Sequence, residues 1–292
     1  MLGNYYFFQM QISVVEDKVK GATLEEEFKR NPECPVENFH SVKSWMNAQG
    51  HLPKIPDQKL FQFLFSCFYD VEKTKKCIDI FYGLKTNWPE LYSKRDLSDH
   101  EIEQAFKAVA IFTIPILTPK RYRITYLKIT SDDASEFDFV MAVKLFLMAY
   151  DAALFLDGTA RGHVIIFDCK NVGFRHLMKC NLDTWKKVIK LTQEALPVRK
   201  KTLHVLNTNY FIYKFAQMLK PFIIPEVFNT IHLHRSTDME EFYKIVPIEC
   251  LPNEYGGPLE SPEILSRKFQ DQLRMLREYF SEDDKQIIKK KS

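Results

Sequence analysis

Glycine is scarce: 9 of 292 residues, against 14 prolines. That excludes a collagen-like or low-complexity chain. Charge of one sign is also missing. Lys and Arg number 41 and Asp and Glu 38, leaving +3, too mild a footprint for a nucleic-acid binder. No cysteine pair has CxxC spacing. The six (Cys34, Cys67, Cys77, Cys169, Cys180, Cys250) are scattered. This argues against a zinc or disulfide framework and for buried reduced thiols in a cytosolic protein. Long hydrophobic runs are missing too. The longest uncharged stretch, Met1 to Val15, contains Asn4, Gln9 and Gln11, with no basic n-region and no small-residue cleavage site. Ala108 to Pro119 is shorter and carries Pro115. Neither a transmembrane helix nor a signal peptide is therefore expected. No GxSxG, P-loop, GxGxxG or HExxH pattern occurs.

Phenylalanine is abundant: 24 residues, in a chain that is 46% hydrophobic and 27% charged. A surplus of this side chain means either a large core or an apolar cavity that needs lining. The length allows one large domain or two.

Residues 1–20 read as a loosely held arm. From 21 to 107 the pattern is helical. Thr23 with Glu26, and Ser98 with Glu101, fit the capping box. Leu60, Phe61, Phe63, Leu64, Phe65 and Phe68 follow Pro56-Asp57 and predict a helix apolar almost all round, hence buried. From about 120 the period changes. Arg121 to Thr130 alternates as a strand, and Phe137 to Leu156 reads as a long helix. His163–Asp168, Leu203–Leu206 and Ile231–His234 are short apolar runs. They are separated by the helical stretches Leu182–Leu196 and Asn209–Leu219. This alternation predicts an α/β domain whose central strands are covered on both faces. Ser261-Pro262-Glu263 opens a C-terminal helix running to about Phe280, before a basic tail.

Candidate chemistry is sparse. Asp168-Cys169 ends a strand, where catalytic groups often sit, but no histidine lies near by a recognised spacing. His232 and His234 share a strand face; core or edge histidines outweigh a metal pair, since no third ligand is evident. Arg199-Lys200-Lys201 reads as solvated charge, with a membrane-surface contact as the minority reading. Asn209 to Ile231 is the most informative segment. Tyr210, Phe211, Ile212, Phe215, Met218, Leu219, Phe222, Ile223 and Ile224 leave few polar positions, and Pro221 and Pro225 interrupt it. It is either a core helix or a lid over a lipid cavity.

Several segments occur in the order of a known family: Gly162–Asp168, Leu203-His-Val-Leu-Asn207, Lys220-Pro221-Phe222, Ile231-His-Leu-His234 and Leu251-Pro-Asn-Glu-Tyr-Gly-Gly257. The chain resembles the CRAL-TRIO (Sec14-like) lipid-binding family, over residues 22–280. Phe63-Leu64 and Asp70-Val71-Glu72-Lys73 resemble its helical N-terminal region. It looks most like insect members labelled α-tocopherol-transfer-protein-like. The resemblance implies an α/β fold: a helical lobe (21–107), then a lipid-binding domain (108–258) with a mobile gate helix, then a C-terminal helix and tail (259–292). It implies a gate at Asn209 through about Thr230.

By position, the resemblance implies a pocket lined by Leu145, Phe146, Ala149, Phe167, Phe174, Val188, Leu191 and Thr192. Leu196, Leu203, Ile212, Phe215, Met218, Leu219 and Phe222 complete the implied lining, with Arg199 and Lys201 at the membrane. No catalytic residue, cofactor or metal is implied. Some positions depart from the family pattern. Gln62, Phe65 and Cys67 replace arginines of the helical region. Glu226 and Thr230 replace basic residues near the gate, which counts against phosphoinositide-triggered release. Leu145 and Ala149 replace serines, and Thr192, Tyr126 and His163 are candidate substitutes as polar handles. The expectation is a cytoplasmic carrier of a small hydrophobic lipid, tocopherol-, retinoid- or carotenoid-like, with transient membrane contact. The alternatives are a lipid-sensing module that recruits a protein partner, and an enzyme using Asp168 and Cys169.

Overall fold

Six helices make the N-terminal lobe: α1 (Leu24–Arg30), α2 (Val36–Ala48), α3 (Asp57–Ser66), α4 (Val71–Asn87), α5 (Pro89–Tyr92) and α6 (His100–Ala108). The computed structural model describes residues 18–288 together with Val14–Val15. Most of the expected arm and Lys289–Lys291 of the tail lie outside the described residues. α1 starts as its sequence dictates. Thr23 Oγ1 accepts from the Glu26 amide at 3.2 Å, and Glu26 Oε2 accepts from the Thr23 amide at 2.7 Å. The box expected at Ser98 does not form. Asp99 caps α6 by accepting from the Glu101 amide, and the Ser98 hydroxyl turns to Asp96 instead. α3 is buried from Lys59 to Phe65 and forms the lobe's centre. Its Phe61 meets Phe28 edge-on with centroids 5.0 Å apart, and Phe63 meets Phe81 at 5.2 Å.

A five-stranded sheet follows: β3 (Val109–Thr113), β4 (Tyr122–Ile129), β5 (Gly162–Asp168), β6 (Lys200–Leu206) and β7 (Ile231–Leu233), in that spatial order. The short pair β1 (Val14–Val15) and β2 (Lys18–Val19) stands apart from it. β3 is an antiparallel edge, which the uncharged run 108–119 did not disclose; the other pairings are parallel. The crossovers are α7 (Phe139–Asp157), then α8 (Phe174–Lys179) with α9 (Leu182–Glu194), then α10 (Tyr210–Leu219) with α11 (Pro225–Phe228). Because spatial order follows chain order and crossovers are right-handed, they fall on one face of the sheet. The other face is covered from the C-terminal side, by α12 (Glu240–Ile245) and the turn at Tyr255, while α13 (Pro262–Met275) packs on β3. The single expected C-terminal helix breaks at Leu276, where α14 (Arg277–Asp284) begins.

α7 is 19 residues long and apolar enough to cross a membrane by length and composition, although it is mostly buried. Its three charges are all paired: Lys144 donates to the Ser93 carbonyl at 3.0 Å, Asp151 accepts from Arg95 at 2.5 Å, and Asp157 at the end of the helix pairs with Arg123 at 2.8 Å. The lobe is joined to α7 by side-chain amides and to the C-terminal helices by further buried charge. Gln62 and Gln58 donate to the carbonyl of Leu154. Asp283 accepts from Lys59, Lys85 and Arg95 together. Burial alone would raise the Asp283 carboxyl, but the three cations overcome it and hold it well below the usual range.

Candidate functional site

Residues of alternate parity point to opposite faces of a strand. The register brings Leu127, Ile165, Phe167, Leu203, Ile231 and Leu233 onto the face beneath the crossover helices. Central parallel strands normally bury such side chains completely. Here all six are only half buried, with Val205 the buried apolar exception on that face, whereas Ile124, Val164, Ile166 and Leu206, on the other face, are fully buried. The helices therefore leave the apolar floor incompletely covered. Phe167 and Leu203 were expected in this lining. Leu127, Ile165, Ile231 and Leu233 were not, and the signal that could have found them is strand parity combined with register.

The walls come from α7 and α9. Phe146 packs on Tyr150 at 4.8 Å, and Tyr150 stacks on His163 of β5 at 5.4 Å. Trp185 of α9 stacks on Phe139 of α7 at 5.0 Å and meets Phe215 of α10 edge-on at 5.7 Å. Val188 and Thr192 are half buried, while Leu145, Ala149, Leu191 and Leu196 are fully buried in the core.

The roof is the segment from α10 to α11. Pro221 and Pro225 divide it, leaving a 3-10 turn at Lys220–Phe222 between the helices. α10 is amphipathic: Ile212 and Leu219 are buried and Phe215 is half buried at helical spacing. Phe174, Met218 and Phe222 instead stand outside, at 54%, 49% and 40% exposure: Met218 lies off the Ile212–Phe215–Leu219 side of α10, Phe222 is in the 3-10 turn, and Phe174 opens α8. Hydrogen bonds hold both ends of the segment. Asn209 accepts from the Ile212 amide at 3.1 Å and donates to the Val172 carbonyl at 2.9 Å. At the far end, Gln193 of α9 accepts from the Ile224 amide at 2.6 Å and donates to the Phe222 carbonyl at 3.4 Å.

Of the three expected polar handles, one keeps a free polar atom on the floor face. Tyr126 has the opposite parity and donates to Asp168 at 3.2 Å behind the sheet. The Thr192 hydroxyl donates to the Val188 carbonyl at 2.8 Å. His163 Nδ1 is buried without a hydrogen-bond partner, and burial lowers this ring to about 3, keeping it neutral.

A strand-ordered sheet with all its crossovers over one apolar, half-covered floor narrows the choice of family. The sequence model described as "CRAL/TRIO domain" matches residues 109–257, and one described as "Pinta-like, UBA domain" matches residues 31–102. The chain belongs to the CRAL/TRIO family. It is 22% identical over 248 residues to the mouse "Alpha-tocopherol transfer protein-like", covering 84% of this chain and 71% of the mouse protein. It is 20% identical over 253 residues to mouse "Clavesin-2", covering 86% and 76%. Among solved structures, that of Sfh5 aligns with a TM-score of 0.48 at 11% identity, over 71% of this chain and 74% of Sfh5.

In this CRAL/TRIO domain the remaining candidates have other engagements. The Arg199 guanidinium lies 3.6 Å from the centre of the Phe65 ring and 4.4 Å from that of Phe68, and its Nε donates to the Phe65 carbonyl at 2.8 Å. It thus joins the helical lobe to the start of β6, while Lys201 lies over the Tyr122 ring at 5.6 Å. Asp168 accepts from Tyr126, Asn207 and the Lys170 amide. Burial pushes the Cys169 thiol up, which disfavours the thiolate. His204 and His234 face each other at 3.0 Å behind the sheet, and His232 stacks on His204 at 5.1 Å. Among the described residues no three His, Cys, Asp or Glu side chains converge as a metal site.

Proposed function

We propose that the protein binds a small hydrophobic lipid, tocopherol-, retinoid- or carotenoid-like, between the sheet floor and α10, and carries it between membranes. One observation carries this reading: six apolar side chains on neighbouring strands remain half buried beneath a short amphipathic roof. Apolar area left partly open on a sheet face costs stability unless something apolar covers it. A ligand with roughly 16 buried methylene equivalents would gain ~13 kcal/mol gross at about 0.8 kcal/mol each. Association and ordering costs take back a large part. The mouse relative's name, alpha-tocopherol transfer protein-like, supports a ligand of this class.

The outer surface suits release at a bilayer. Phe174 and Phe211 pack together at 5.5 Å beside the exposed Met178, Tyr210 and Met218. Lys186 and Lys220 sit over the rings of Phe222 and Phe228 along the same segment. An apolar patch flanked by cations prefers an anionic interface, so the membrane itself favours the opened roof. In this reading the protein is cytoplasmic and touches membranes peripherally, consistent with six free cysteines. No chemical step is required. Vesicle-to-vesicle transfer of a fluorescent ligand tests the proposal: saturable transport supports it, and binding without transport replaces the carrier with a lipid sensor. The sensor reading draws on the separate match of the helical lobe, residues 31–102, which would supply the partner surface.

A further inference from the structure

Cys67 caps the C-terminal end of α3, and Cys77 lies in the second turn of α4. Both line a cleft of about 220 Å³ between the helical lobe and the turn after α9, together with Ser66, Phe68, Arg199 and Lys200. Cys67 is half buried and lies 3.8 Å from the Ser66 hydroxyl. Cys77 is buried, and its sulfur donates to the Ala195 carbonyl at 3.5 Å, across the junction of the two lobes. Lipid binding as proposed above uses neither sulfur.

The two thiols are neighbours of unequal character. The Cys77 thiol beside it is the largest influence on Cys67 and brings it down to about 7, against the effect of burial. The same pairing pushes Cys77 up. Burial raises the other four: Cys34 and Cys250 to about 11, Cys180 to about 12, and Cys169 well up. A half-buried, acidified thiol sharing a cleft with a second thiol is the arrangement of an attacking and a resolving cysteine.

We propose that Cys67 and Cys77 form an oxidation site, in which a hydroperoxide entering the cleft is reduced and the two sulfurs close a disulfide. The Cys67 thiolate attacks the terminal peroxide oxygen. The O–O bond breaks, the alkoxide or hydroxide leaves and takes a proton, and Cys67 becomes a sulfenic acid. The Cys77 sulfur then attacks the Cys67 sulfur. The S–O bond breaks, and hydroxide leaves with the Cys77 proton as water. Two thiols lose two electrons in all, and the hydroperoxide yields one alcohol, or water, and one further water. Closing the disulfide consumes the Cys77 hydrogen that bonds the carbonyl of Ala195, the residue at which α9 ends.

The test is peptide mapping of the full chain, reduced, exposed to hydrogen peroxide under native conditions, then denatured and alkylated. The expected product is a Cys67–Cys77 cross-linked peptide, formed at least about tenfold faster than any oxidation of Cys34, Cys169, Cys180 or Cys250. Cys77→Ser should stop at a dimedone-trappable sulfenic acid on Cys67, and Cys67→Ser should leave Cys77 alkylatable. Equal rates at all six thiols, or Cys67 paired with another cysteine, would overturn the proposal. The map of the unmutated protein decides this even if a variant fails to fold.

Discussion

The ring of Phe215 on α10 meets the indole of Trp185 on α9 edge-on, with centroids 5.7 Å apart. This contact lies between the two hydrogen-bonded ends of the roof. Phe215→Asp places a charge over the apolar floor and should lower ligand affinity at least about tenfold, by fluorescence titration. Met218 is on the outer side, 49% exposed. Met218→Asp should leave affinity within about twofold and instead reduce vesicle co-sedimentation. If the two variants behave alike, the roof has no distinct inner and outer sides.

Gln193 holds the backbone of Ile224 and Phe222 from α9. Gln193→Ala removes two hydrogen bonds at an exposed site, so global stability should change by about 1 kcal/mol or less. Ligand dissociation in stopped-flow should accelerate several-fold, because the clasp ties down the Pro221–Pro225 end. An unchanged dissociation rate rules out opening from that end.

Much of this roof is legible in the sequence. The apolar run from Tyr210 to Ile224, cut by Pro221 and closed by Pro225, announces a short amphipathic segment, and Asn209 marks its start. The floor is less legible. His163–Asp168 and Leu203–Leu206 are apolar on both faces, so periodicity shows strands but not which residues look toward the helices. Only register assigns Ile165 to the site and sends Tyr126 behind the sheet. Distant ion pairs are illegible for another reason. Ser281-Glu-Asp-Asp284 reads as a solvated acidic turn, yet Asp283 is buried by cations nearly 190 residues or more away in the chain.

That burial makes Asp283 a point of failure. Asp283→Ala leaves Lys59 and Lys85 without a carboxylate partner in the interior, while Arg95 keeps Asp151 and Asp284. The cost should be about 3–5 kcal/mol. Calorimetry should show a fall in Tm of roughly 10 °C. A fall of only a degree or two means that water reaches these cations.

Acid should weaken the fold through histidine before it does so through Asp283. Burial lowers His163 and His204 to about 3 and also lowers His234. Unfolded, these rings take up protons near pH 6.5; folded, they resist. The unfolded state therefore binds more protons, and stability falls as pH drops below about 6.5, by at most about 1.4 kcal/mol per pH unit for each ring. Glu27, Asp151 and Asp157, raised by burial, act in the opposite sense only as carboxylates begin to protonate. Between pH 7.5 and 5.5, urea denaturation should show a loss of stability that His204→Asn reduces. An equal loss in both proteins removes His204 from the account.

The half-buried floor of Ile165, Phe167, Leu203, Ile231 and Leu233 is the centre of this account. Native mass spectrometry of the protein purified from eukaryotic cells tests it most directly. The account predicts a single hydrophobic molecule bound one to one, displaced from Phe215→Asp and retained by Met218→Asp. A chain that carries no lipid, and takes up no tocopherol, retinoid, carotenoid or sterol when offered them, would contradict it.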